Sequence, residues 1–173
     1  MTNSSWAAPD VERTDPPYVA DERTMLQTWL DFHRDTLLMK CSGLDADQLA
    51  TASAPPSNLT LLGLVRHMSE VERSWFRRRM AAQDLPHIYC TEEQPDGDFE
   101  NVADADAEAD LATFREECSK ADEAVASVSL DATFVARNTI SLRWIYVHMI
   151  EEYARHNGHA DLIRERIDGA TGD

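Results

Sequence analysis

The sequence predicts an all-α domain, a four-helix bundle with one long connection between its second and third helices. Three observations predict it. Four segments repeat apolar residues at three- and four-residue spacing, the period of a helix with one buried face. Strand-like alternation is nearly absent. Each segment holds about 22–27 residues, which at 1.5 Å per residue makes a rod of about 33–40 Å. A chain of 173 residues suits one domain, expected over residues 21–169.

Residues 1–20 come first, with Pro9, Pro16 and Pro17 among acidic and small polar residues, and read as an extended or mobile arm. The first helix is expected from about Asp21 to Ser42, with Leu26, Trp29, Leu30, His33 and Leu37 on its apolar face and Gly43 as its stop. The second follows Pro55-Pro56-Ser57-Asn58 and runs from about Leu59 to Gln83. Its stripe is Leu61, Leu64, Val65, Met68, Val71 and Trp75, and Arg77-Arg78-Arg79 closes it, where cations suit the helix dipole, a grip on an anionic substrate being the lesser alternative. The connection from about Asp84 to Ala103 is long for a bundle, and loops of that length are often functional. The third helix, about Asp104 to Ser127, carries Leu111, Phe114, Cys118, Ala121 and Val125. The fourth, about Ser141 to Ile167, carries Leu142, Ile145, Met149, Tyr153, Ala160, Ile163 and Ile167, with Gly169 after it. The best strand candidate, Ala132 to Ala136, is short and isolated.

Charge narrows the function. With 16 Lys+Arg against 32 Asp+Glu, the net charge is −16, which argues against nucleic-acid backbones and anionic membranes as partners. Residues 92–123 hold 13 acids and two bases and read as a solvated face. No apolar run approaches a membrane span, and the N-terminus lacks the pattern of a signal peptide. Cys41, Cys90 and Cys118 are odd in number and unmotifed, so they read as free thiols of a cytoplasmic protein. Trp29, Trp75 and Trp144 read as core. Tyr146, Val147 and Ile150 lie beyond the apolar stripes and suggest a second buried face, and with it a homodimer.

The informative residues are polar groups on apolar faces. On the fourth helix His156 falls in the centre of the stripe and Glu152 on its edge. The two are about 40° apart in azimuth and about 6 Å apart along the axis. A carboxylate facing a core needs an ion pair, a proton or a cation. An imidazole and a carboxylate one turn apart can share one divalent ion. The bland alternative, a buried His–Glu hydrogen bond, has even weight. A third ligand could come from His67 on the second helix or from His33 on the first, and periodicity slightly favours His33. His148 and His159 flank the stripe, as ligands, as their supports or as exposed residues. His87 is expected to face solvent. Nucleophile-elbow, phosphate-loop, dinucleotide and zincin motifs are absent.

The segments LLGLVRHMSEVERSWF (Leu61–Phe76) and WIYVHMIEEYARHNGHADLIRE (Trp144–Glu165) together resemble the DinB-like family of metal-binding four-helix bundles, and within it the actinobacterial mycothiol-dependent branch. The resemblance implies an up-down-down-up bundle, often dimeric. It also implies one divalent metal, with zinc first and nickel or iron as alternatives, held at positions matching His67, Glu152 and His156. Many members carry His-x-x-x-His in the last helix. Glu152-x-x-x-His156 resembles the mycothiol S-transferases and the mycothiol-dependent maleylpyruvate isomerase. The family pattern thus puts His67 before His33, leaving His33, His148, Arg155 and His159 as candidate pocket or supporting residues. The implied chemistry is activation of a low-molecular-weight thiol such as mycothiol for attack on an electrophilic small molecule. The alternatives are a thiol-dependent isomerase, a metal-water hydrolase, or a non-catalytic helical stress-response bundle.

Overall fold

The computed structural model describes residues 6–172 and is mostly helical. Helix α1 (Glu22–Cys41) opens where the Asp21 carboxylate accepts the Thr24 amide, satisfying one of the donors left free at a helix start. A single turn, α2 (Ala46–Leu49), follows, closed by an Asp45–Gln48 capping box. Helix α3 (Leu61–Glu72) is capped by Thr60 and passes without a break into a π-helical segment, Arg73–Met80. The long connection carries one turn, α4 (Gly97–Glu100), before α5 (Ala107–Val125). Strands β1 (Thr133–Val135) and β2 (Thr139–Ser141) precede α6 (Leu142–Asp168). Gly169 ends α6 in the left-handed conformation (φ 80°) that favours glycine.

Helix α1 packs along α6 and α3 along α5, and α3 also meets α6 and α4. The predicted stripes line this interior: Leu30 and Leu37 from α1, Leu61, Leu64, Val65 and Met68 from α3, Leu111 and Phe114 from α5, Ile145, Met149 and Ile163 from α6. No described helix is long and apolar enough to cross a membrane.

Several expectations change. The strand at 133–135 is not isolated: it pairs antiparallel with β2, Phe134 opposite Ile140, a partner too short to show alternation of its own. Tyr146 is interior, its ring against Phe76 and its hydroxyl donating to Gln27 Oε1 at 2.7 Å, so only Val147 of the suggested outer face is strongly exposed. Trp29 and Trp144 are 40% and 47% exposed rather than core, a ring this large being seldom covered completely. The proline-bearing segment is pinned at Ala8, which is buried and exchanges backbone hydrogen bonds with Leu44 and Gly43.

The acidic stretch is not all solvated. Asp98, Asp110 and Glu117 are buried. Glu117 is clamped by Arg73 and Arg77, so Arg77 serves a buried ion pair as well as standing in the last turn of its helix. A second buried cluster lies between α1, α3 and α6: Arg34 donates from Nε and Nη2 to both oxygens of Glu72 at 2.8 Å, and Tyr153 donates to Glu72 Oε1 at 2.7 Å. Burial tends to lower the Arg34 guanidinium, but the charge of Glu72 and the further charges and hydrogen bonds around it raise it overall. Burial lifts the Tyr153 hydroxyl well above its usual range.

Candidate metal centre

Helical periodicity places Glu152 and His156 on one side of α6, and the contact of α3 with α6 brings His67 to them. One ligand atom from each of the three lies within 4.8 Å of the others. The His67 and His156 rings meet edge-on with centroids 4.8 Å apart, and His156 Nε2 lies 3.5 Å from Glu152 Oε2. Two donors each about 2.0–2.2 Å from one tetrahedral ion stand about 3.3–3.6 Å apart, so that spacing fits a shared cation. The chemistry of the set fits as well, since two imidazoles and a carboxylate suit zinc, nickel or iron. Burial, with the rings of His67 and His159 behind it, pushes the His156 imidazole down to about 4. It is therefore neutral, the form that ligates, throughout the physiological range. His156 Nδ1 is buried without a hydrogen-bond partner, a polar atom left unsatisfied by the chain.

The surroundings orient the three side chains. His67 Nδ1 lies 2.8 Å from Asp98 Oδ2, which leaves Nε2 as the ligating nitrogen. Burial is the largest influence on Asp98 and tends to raise it. The hydrogen bonds and charge from His67, Cys90 and the Phe99 amide outweigh this and hold the carboxyl below the usual range. Asp98 belongs to α4, in the long connection, and Phe99 beside it stacks on the His67 ring at 4.7 Å. Glu70, one turn beyond His67, docks that connection by accepting the backbone amides of Ile88 and Tyr89 at 2.6 Å and of Cys90 at 3.1 Å. Gly97 is required there, because a Cβ would stand 2.5 Å from the Tyr89 carbonyl oxygen. Sequence reasoning missed Asp98 and Glu70. The length of the connection hinted at function, but nothing local marks which of its acids turns inward.

The other candidates are distributed unevenly. His148 Nε2 lies 3.4 Å from Glu152 Oε1, on the side away from His156, and its ring stacks on Trp144 and meets Trp75 edge-on. His148, Glu151 and Glu152 make a second, more exposed group of closely spaced ligand atoms. His159 stands beside His156, centroids 5.5 Å apart, with a buried and unpartnered Nδ1. His33 is not brought to the group. It lies on α1 against Asn157, whose amide donates to the His33 carbonyl at 3.0 Å. Arg155 is exposed and turned to Glu151. His87 is half-exposed and lies between Glu70 and Arg78.

The model of the mycothiol S-transferase family matches residues 25–169. No curated protein and no solved structure matches the chain. Covering all but the two ends of the sequence, the match includes every residue of the centre just described, and the chain belongs to the mycothiol S-transferase family, a branch of the DinB-like proteins.

Proposed function

We propose that the protein is a metal-dependent thiol S-transferase built on an up-down-down-up bundle, using His67, Glu152 and His156 to hold one divalent cation, zinc before nickel or iron. The observation that carries this reading is the convergence of two imidazoles and one carboxylate, from two helices, within 4.8 Å. A divalent cation in a three-ligand set supplies one thing, a charge that lowers the pKa of an incoming thiol so that it is a nucleophile at neutral pH.

The chain's own residues do the rest. Asp98 holds the His67 ring with Nε2 inward. Glu152 turns Oε1 to His148 and leaves Oε2 beside His156, so the carboxylate is positioned before any ligand arrives. The low proton affinity of His156 keeps its ring available. Phe99, stacked on His67, shields one face of that ring from water. A low-molecular-weight thiol such as mycothiol is the cosubstrate and an electrophilic small molecule its partner. The role is detoxification in the cytoplasm, by a monomer or a homodimer.

Elemental analysis of untagged protein, paired with a thiol-consumption assay, tests the reading. About one equivalent of metal and stoichiometric loss of thiol are expected. Less than about half an equivalent, or metal retained by both Glu152→Ala and His156→Ala, overturns the metal centre. Turnover that regenerates the thiol, or proceeds without it, identifies an isomerase or a hydrolase instead.

A further inference from the structure

The π-helical segment ends at a polar cavity of about 350 Å³ that the reaction as described leaves unused. Ser74, Arg78, Arg79, Asp84 and His87 are among its lining residues. Among the described residues no carboxylate lies within 4.0 Å of either guanidinium. The chain carries a net charge of −16, and Arg34, Arg73, Arg77 and Arg143 each hold at least one acid. Arg78 and Arg79 differ from these four in being adjacent in the chain and in having no acid at that distance, although Asp84 lines the same cavity.

Their direct partners are an imidazole, a hydroxyl and an aromatic ring. Arg78 Nη1 lies 2.8 Å from His87 Nε2. Arg79 Nη1 donates to Ser74 Oγ at 2.9 Å, and its guanidinium lies 4.3 Å over the Trp75 ring. Burial and the adjacent Arg78 charge depress the Arg79 guanidinium below its usual range.

The backbone is unusual in the same place. The π register aligns residues five apart, as Ser74 and Arg79 are. Just beyond, Ala82 has φ 51°, a left-handed conformation uncommon for a residue other than glycine. Both π turns and such strained residues gather at functional sites.

Trp75 joins this cavity to the metal centre. One of its contacts is Arg79. Another is His148, at 4.9 Å between ring centroids, and His148 faces Glu152.

We propose that Arg78 and Arg79, with the Ser74 hydroxyl, bind the carboxylate of an acidic electrophile whose body extends along Trp75 toward His67, Glu152 and His156. The second half of that statement rests on the S-transferase reading; the anion site does not. A planar guanidinium matches a carboxylate in two parallel hydrogen bonds. Asp84 at the cavity and the acidic field of the chain favour a single negative charge over a phosphate dianion.

Titration calorimetry on the untagged protein at low salt, with 4-chloro-3-nitrobenzoate and its uncharged carboxamide, tests the site. The benzoate is expected to bind roughly five- to tenfold more tightly than the amide, and the preference to fade as salt is added. Arg78→Gln/Arg79→Gln removes the preference while melting temperature and metal content stay at the wild-type value, and Arg79→Lys keeps part of it. Because the readout is a ratio of two affinities, a less stable variant still reports it below its melting temperature. Equal affinities in the wild type, no binding of either compound, a preference that survives the double substitution, or tighter binding of inorganic phosphate overturns the proposal. Thiol consumption with the same two compounds keeps the two readings apart. Charge-selective binding without thiol loss refutes the transferase and leaves the anion site, whereas thiol loss without charge-selective binding refutes the site alone.

Discussion

Two of the clusters of ionisable side chains that interrupt the apolar faces of these helices are resolved in opposite ways. Glu72 is fully buried and takes two hydrogen bonds from Arg34 and one from the Tyr153 hydroxyl, with the Cys118 thiol 3.8 Å away. Its acceptor capacity is consumed by the chain. Glu152 is a quarter exposed, its oxygens 3.4 and 3.5 Å from two imidazoles, and His156 Nδ1 has no partner. A saturated ion pair fixes how helices pack. A carboxylate and two imidazoles with one ligand atom each within 4.8 Å of the others, and, among the described residues, no arginine or lysine paired to that carboxylate, are a place for something else to bind. Buried charge therefore does not distinguish structure from function here; leftover bonding capacity does.

The largest effects belong to the open cluster. His67→Ala, Glu152→Ala or His156→Ala should each reduce bound metal below about half an equivalent by elemental analysis, because a three-ligand set does not survive the loss of one. Their effect on the metal-free fold should be small. The closed cluster should behave the other way. Glu72→Ala leaves the Arg34 guanidinium buried without its partner and is expected to cost about 3–5 kcal/mol in urea unfolding, with little change in metal affinity per folded molecule. Replacing Arg34 and Glu72 together by apolar residues of similar size should cost much less. If Glu72→Ala abolished metal binding in a folded protein, the distinction would collapse.

Asp98→Asn sharpens the comparison at the edge of the open cluster. Asparagine keeps the shape but loses the charge that holds Nδ1–H, so metal affinity should fall about 10- to 100-fold, with a change in the His67 ring nitrogen resonances of the metal-free protein.

Acid stability should report His156. Its proton affinity in the folded state lies below that of the unfolded chain, pushed from 6.5 to about 4. The unfolded state thus binds the proton first. The stability His156 contributes is present above pH 6.5 and is lost as pH falls through 6.5 toward 4, each tenfold difference in proton affinity being worth about 1.4 kcal/mol. In metal-free protein, His156→Asn should flatten that part of the pH–stability curve. The smallest effect is at Arg155, exposed and paired with Glu151, where Arg155→Ala should shift stability by less than about 0.5 kcal/mol and leave metal content unchanged.

Much of this was legible beforehand. Most of the apolar stripe residues lie in the buried core, and a wheel of α6 alone puts Glu152 and His156 side by side. Periodicity favoured His33 over His67, and only the resemblance of the motifs corrected it. Both histidines sit on apolar faces, and their own helices carry nothing to say which meets α6 at the level of His156. Reading residues 92–123 as solvent-facing failed for Asp98, Asp110 and Glu117, because each is buried by a partner far away in the chain: His67, Tyr89 with Arg66, and Arg73 with Arg77.

The sequence by itself determined what is written within one helical turn: the long helical segments, the glycines that follow the first and last of them, and an acid and an imidazole one turn apart on the last. Hydrogen bonds and side-chain spacing of that range depend only on neighbouring residues. The tertiary structure decided which histidine joins them, which loop carboxylate orients it, and which arginines neutralise the buried acids. Those choices depend on the rotation of each helix about its axis and on the path of the connection between α3 and α5. Packing of the whole core sets both.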